Sequence, residues 1–217
     1  MNLEGLILLA RLRLDDQVKP YLWSDTQVTS WLNEAQNEAC LRGNVLNYQE
    51  MGFDTVVGTA IYKPVESVLR IKAVIGEDGR SLLHKSLVGM ETKANRRWRT
   101  DIGPPAVFIS HYEIRSIRLY PIPDAVEHMT ILGSRLPVVP MTALPDVPEI
   151  DPIYHYLLPE WAVFLATRSS DSEKANSAAA QDAAMKFESA FGPPITAVIL
   201  RSRFERLFPS NTRRVNY

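Results

Sequence analysis

Four histidines, one cysteine and two adjacent aspartates are the residues of this 217-residue chain whose types best suit chemistry. His84, His111, His128 and His155 could ligate a metal or move a proton. None has a second histidine or a carboxylate at the helical spacing of a metal site, so no metal centre is expected. His155 stands between Tyr154 and Tyr156, a setting for packing or a hydrogen bond. Cys40 is alone, which excludes an intramolecular disulfide and any multi-cysteine zinc site, and it reads as a buried structural thiol. Asp15 and Asp16 could work as paired carboxylates. In a short link before Pro20 they read instead as helix caps or solvated charges. The chain has no GxSxG, phosphate loop or GxGxxG, and its serines have no general base nearby in sequence. No catalytic residue, cofactor site or metal ligand is expected, and the chain does not read as an enzyme. The enzymatic alternative is a hydrolase of the cell envelope whose catalytic groups come from distant parts of the chain.

Two basic segments carry more information. KANRRWRT (93–100) sets Lys93, Arg96, Arg97 and Arg99 around Trp98, a composition able to stack on or neutralise nucleic acid. The same residues could contact a neighbouring subunit or a tail component, or form a solvated surface. A net charge of −1 gives the whole chain no general attraction to nucleic acid. The second segment is residues 201–217, where Arg201, Arg203, Arg206, Arg213 and Arg214 face only Glu205, and Phe204, Leu207, Phe208 and Tyr217 add apolar groups. Arginine and aromatics are the types enriched at interface hot spots, so the segment reads as a docking arm.

The elements that position these segments follow from periodicity. The composition, 46% hydrophobic and 23% charged, is that of a globular chain. No apolar run reaches the length of a membrane span, and the N-terminus lacks a secretory pattern. Residues 2–13 form a helix with Leu3, Leu6, Ile7 and Ala10 on one stripe. Ser24 caps a second helix, with Gln27 completing a capping box, Trp23 and Val28 a staple, and Gly43 the stop. Val28, Trp31, Leu32, Ala35 and Ala39 form its apolar stripe, while Asn33, Glu34, Gln36, Asn37 and Glu38 cover much of the rest.

From about residue 54 the pattern becomes strand-like. VLRIKAVIG (68–76), the EDG turn and SLLHKSL (81–87) suggest an antiparallel return. Residues 106–113 and 116–123 suggest a second pair, and 128–137 a third element. Asp151 and Pro152 start a helix in which Pro159 marks a kink or restart. Asp171 or Ser172 caps a last helix, ending at Gly192, with Ala175, Ala178, Ala179, Met185 and Phe191 on its packing face. The expected fold is α+β: N-terminal helices (1–53) and C-terminal helices (149–192) forming a bundle, an antiparallel β insertion (54–148) and an extended arm (193–217).

Three stretches together resemble a known family, the head–tail adaptors of tailed bacteriophages, also called connector or tail tubular proteins. They are PYLWSDTQVTSWLNEAQNEACLRG, GPPAVFISHYEIRSIRLYPIPD with RWR upstream, and IYHYLLPEWAVFLATRSSDSEKANSAAAQDAAMKFESAFG with its Phe187, Glu188, Phe191 and Gly192 ending. The resemblance implies a structural protein of the virion neck, made in the host cytoplasm. It implies a homododecameric ring beneath the portal protein, a channel passing DNA without sequence-specific binding, and a surface for a downstream tail or neck protein. No membrane partner is implied. Residues 201–217, through Arg201, Arg203, Phe204, Arg206, Phe208, Arg213, Arg214 and Tyr217, would dock on the portal. Arg96, Arg97, Trp98 and Arg99 would contact a neighbour or the tail. The alternative is a nucleic-acid-binding module using residues 93–100.

Overall fold

Helix α1 (Leu3–Leu14) begins where the Asn2 side chain accepts from the Gly5 N–H, and ends at Asp15 in the left-handed region (φ 52°). Leu3, Leu6, Ile7 and Ala10 are all buried, the stripe expected from spacing. The computed structural model describes residues 1–47, 49–63, 68–91, 97–110, 112–113, 116–168 and 176–195. It divides the chain into a helical unit, Met1–Leu46 with Arg135–Ile195, and a strand-rich unit that includes Asn47–Ser134. Residues 135–148, read with the insertion in the sequence, therefore belong with the helices.

Helix α2 (Asp25–Gly43) is capped by Ser24, whose hydroxyl accepts from the Gln27 N–H at 3.2 Å. Trp23, Val28, Leu32, Ala35 and Ala39 are buried. The stop is Asn44 at φ 50°, not Gly43, which remains the last helical residue; asparagine tolerates this conformation at a C-terminus. Trp31 is only half-buried and meets Trp23 edge-on at 6.1 Å. Trp31→Ala should therefore cost about 1–2 kcal/mol in equilibrium unfolding, less than a buried indole would.

The polar face of α2 is also a packing face, which corrects the reading of Asn33 and Gln36 as solvent cover. Asn33 donates to the Met141 carbonyl and accepts from the Met141 N–H, both at 2.9 Å. Gln36, 1% exposed, accepts from the Glu149 N–H at 2.6 Å. The irregular segment 136–150 is tied to the bundle by these bonds. The Glu149 carboxylate adds Val138 N–H (2.7 Å), Val139 N–H (2.8 Å) and Arg135 (2.6 Å). Burial would raise its pKa, but the Val139 N–H, Arg135 and the Val138 N–H outweigh that and hold it below the ordinary value. A depressed carboxylate stabilises the fold above its unfolded pKa, and the contribution is lost as pH falls through the folded pKa. Glu149→Gln should cost about 1–2 kcal/mol at neutral pH, and the difference from wild type should shrink in unfolding titrations carried into acid.

Asp151 accepts from the Ile153 N–H and opens a 3-10 turn, Pro152–Leu157, which continues into α4 (Leu158–Thr167). Pro159 lies in the first turn of α4, where its missing N–H has no helical acceptor to lose, so it marks the restart. Helix α5 (Ser177–Phe191) is capped by Asn176, whose side chain accepts from the N–H groups of Ala178 and Ala179, and it ends at Gly192 (φ 92°). The caps expected at Asp171 and Ser172, and Ala175, lie outside the described residues. The buried face is Ala180, Ala183, Phe187 and Phe191, whereas Ala178 and Met185 are exposed. In an alanine-rich run every face looks alike, and Phe187 decides by stacking on Trp161 (5.0 Å) and Phe191 (4.6 Å). Helix α4 lies at the centre of the bundle, against α1, α2 and α5.

The strand-rich unit holds β1 (Gln49–Asp54), β2 (Ile61–Tyr62), β3 (Val68–Ile75), β4 (Leu83–His84), the short α3 (Leu87–Glu91), β5 (Val107–Ser110), β6 (Ile117–Tyr120) and β7 (His128–Arg135). Strand order is β1-β7-β3 in one sheet and β2-β6-β5-β4 in the other. Residues 49–54, read with the N-terminal helices, are a strand paired antiparallel with β7, Met51 opposite Ile131. The turn after β3 forms as expected, with Gly76 N–H donating to the Arg80 carbonyl and Gly79 at φ 79°. Its return is a single bridge, Ile75 with Ser81. The chain then crosses to the second sheet, where Leu83–His84 pairs parallel with β5. The insertion is therefore mixed rather than wholly antiparallel. Strands β5 and β6 pair antiparallel as the sequence suggested. Both sheets contribute to one core: Ile71, Val74, Met129 and Ile131 from the first, Phe108, Ile117 and Leu119 from the second. The fold class is α+β.

Candidate functional site

The basic segment is anchored from beneath. Trp98 is 2% exposed and packs with Met90, Val107 and Ile109. Its ring meets Tyr120 edge-on at 6.4 Å. Arg118, on β6 and 8% exposed, lies 5.1 Å from the Trp98 ring centroid and 5.0 Å from that of Tyr112, and donates to the Arg99 carbonyl at 3.0 Å. The Trp98 indole is therefore a fixing pin and offers no face to a base or a partner, a correction to its place among the contact residues. Arg97 and Arg99 remain exposed, and Arg99 pairs with Glu91 on α3. That bond holds the Arg99 guanidinium pKa above its ordinary value. Arg96 lies outside the described residues. Nothing local in RRWRT distinguishes an inward tryptophan from an outward one, because its partners Val107, Ile109 and Arg118 are distant in sequence.

The docking arm, residues 201–217 with Arg201, Arg203, Phe204, Arg206, Phe208, Arg213, Arg214 and Tyr217, also lies outside the described residues. The remaining chemical candidates are structural. Cys40 is buried, and burial pushes its thiol up to about 12. Asp16 is 5% exposed and bound to Arg11 rather than solvated, while Asp15 forms the C-cap of α1. His155 is buried, bonded to the Met1 amine (2.9 Å) and facing the Ile150 carbonyl (2.9 Å). His84 bonds to Ser110 and packs on Phe108, and His128 pairs with Asp54 at 2.7 Å. His111 lies outside the described residues. Among those described, no cluster of three or more His, Cys, Asp or Glu is placed to hold a metal, and no helix is long and apolar enough to cross a membrane.

What the strand-rich unit does offer is exposed apolar surface with charge beside it. Val56 and Val57 project from the loop before β2, Val126 from the loop before β7, and Leu87 and Val88 from α3. Sequence reading missed these because isolated valines in loops carry no periodic signal. Such groups on a well-packed scaffold suit macromolecular contact better than catalysis.

The family described as SU10 adaptor protein matches residues 1–213. The chain belongs to that family. The SU10 adaptors are phage head–tail adaptors, and the role of this one is structural. No curated protein matches the chain.

Proposed function

We propose that this SU10 adaptor forms a ring of twelve copies beneath the phage portal, extends the DNA channel and presents the surface on which the tail or a further neck protein attaches. The observation that carries the reading is the family match over residues 1–213. The mechanism is assembly. A side-to-side contact between unlike patches closes into a ring when its rotation closes. Many weak arm contacts then act together, because each later engagement is intramolecular. Residues 201–217 dock on the portal, their arginines pairing with carboxylates and Phe204 and Phe208 filling apolar pockets. DNA passes without sequence-specific binding, and the buried Trp98 ring disfavours the reading of residues 93–100 as a nucleic-acid module.

Negative-stain imaging of the purified chain with its portal should show a ring stacked coaxially on the portal. A chain lacking residues 201–217 should stay folded and fail to co-sediment with portal. Undiminished co-sedimentation of that truncation would remove the arm from the reading, and the absence of any ring on the portal would remove the reading itself.

A further inference from the structure

The four-stranded sheet ends on β2 at one edge and on β4 at the other, and the two edges carry opposite chemistry. Beside β2, Val56 and Val57 are 56% and 57% exposed. Their loop is held firmly. Thr55 Oγ1 donates to the Ala125 carbonyl (2.9 Å) and accepts from the Glu127 N–H (2.8 Å), and the Gly58 N–H donates to the Pro123 carbonyl (2.9 Å). The Val56 N–H donates to the Tyr62 hydroxyl at 3.0 Å. An apolar tip ordered in advance loses little conformational freedom on binding. Asp54 lies two residues before it, and Asp124 and Glu127 lie in the segment that holds the loop; the His128 ring bonds to Asp54 at 2.7 Å, and the His128 backbone N–H donates to Glu77 at 3.5 Å. The tip is apolar with an acidic collar.

At the opposite edge, α3 follows β4 after two residues and exposes Leu87 (41%) and Val88 (71%). Val88 lies one helical turn before Glu91, the partner of Arg99, so apolar and basic groups adjoin there. Arg97 is exposed beside them, and the sequence from Lys93 to Arg99 carries four basic residues and no acidic one. The Arg99–Glu91 pair is exposed on both sides, of the kind that contributes little to stability. Both edge strands are two residues long, too short for main-chain strand addition, so a contact here falls to side chains.

We propose that successive copies of the chain meet at these edges, the Val56–Val57 tip and its carboxylates on one copy seating against Leu87, Val88, Arg97 and Arg99 of the next. The occupant is a second copy because the charge and apolar complement of each edge stands on the other edge of the same sheet. A contact between two different patches of one chain is heterologous and repeats from copy to copy, as a ring requires. The inference rests on the ring reading and adds which surfaces join.

The test uses three full-length variants: Asp54→Lys with Asp124→Lys, Arg97→Glu with Arg99→Glu, and Val56→Ser with Val57→Ser. Circular dichroism and melting establish that each is folded. Sedimentation over a concentration series should show the wild type self-associating and each variant weakened by at least about tenfold, as like-charge or unfilled contacts demand. Mixing the two charge-reversed variants should restore assembly as an alternating oligomer, since each then offers the patch the other lacks. Folded variants that assemble like wild type overturn the inference, and so does a mixture that stays dissociated. Variants that self-associate normally but lose portal binding would assign the edges to the portal and overturn it as well. A wild-type chain that stays monomeric alone and forms no ring on the portal overturns the ring reading beneath it, whereas one that forms a ring only on the portal moves the same comparison of variants to portal-bound rings.

Discussion

Gly133→Ala should destabilise the strand-rich unit by about 3 kcal/mol, a large share of the stability of a domain this size. Gly133 lies in β7 opposite Gln49 of β1. On its other side β3 comes so close that an added Cβ would stand 2.1 Å from the Arg70 carbonyl oxygen and 3.2 Å from the Arg70 carbonyl carbon. The obstacle is backbone, so no side chain can swing aside, and β3 would have to separate from β7. Met129, Ile131, Ile71 and Val74 face the shared core from these two strands and would lose their packing together. Gly52→Ala on β1 is the control. Its Cβ would meet the His128 ring at 2.6 Å, but that side chain is 56% exposed and can rotate away, so the cost should stay below about 1 kcal/mol. Thermal unfolding of both variants is the measurement, and equal losses would mean that strand separation at Gly133 is easy.

Arg11→Met should cost about 3–5 kcal/mol, the usual consequence of leaving a buried charge without its partner. Arg11 is 3% exposed and holds Asp16 at 2.7 Å, the Trp23 carbonyl at 2.9 Å and Asp25 at 2.6 Å. Its guanidinium also lies 3.6 Å over the Tyr21 ring. One side chain of α1 thereby fixes the link 15–24 and the start of α2. Without it, Asp16 keeps only backbone donors, Leu22 at 2.9 Å and Trp23 at 3.5 Å. Adding Asp16→Asn removes the buried charge while keeping one acceptor oxygen, enough for the shorter bond from the Leu22 N–H. The double variant should therefore recover more than half of the loss in urea unfolding. If it recovers nothing, the arginine acts through its contact with Tyr21 instead.

The helices were readable because their signals are local. Ser24 with Gln27, the stripe Leu3, Leu6, Ile7 and Ala10, and the Asp151–Pro152 start each need only neighbours in sequence to form. Position on the solvent face was less readable. Asn33 and Gln36 look like cover until residues 136–150 arrive to be held, and the face of α5 is set by Trp161 rather than by its alanines. Residues 49–54 have no strong strand pattern and become a strand because β7 offers them a ladder. The parallel pairing of Leu83–His84 with β5 is equally non-local. At the candidate surfaces, the basic composition of residues 93–99 was visible, but the inward turn of Trp98 depends on Arg118 and Tyr120 far along the chain.

The burial of Cys40 makes the native chain silent to thiol reagents, since a thiol held near 12 inside the bundle supplies almost no thiolate at neutral pH. A cysteine placed at an exposed position such as Val57 or Val88 would then react alone. Dyes, spin labels and crosslinkers could report on chosen points of the assembled neck without first deleting a native cysteine.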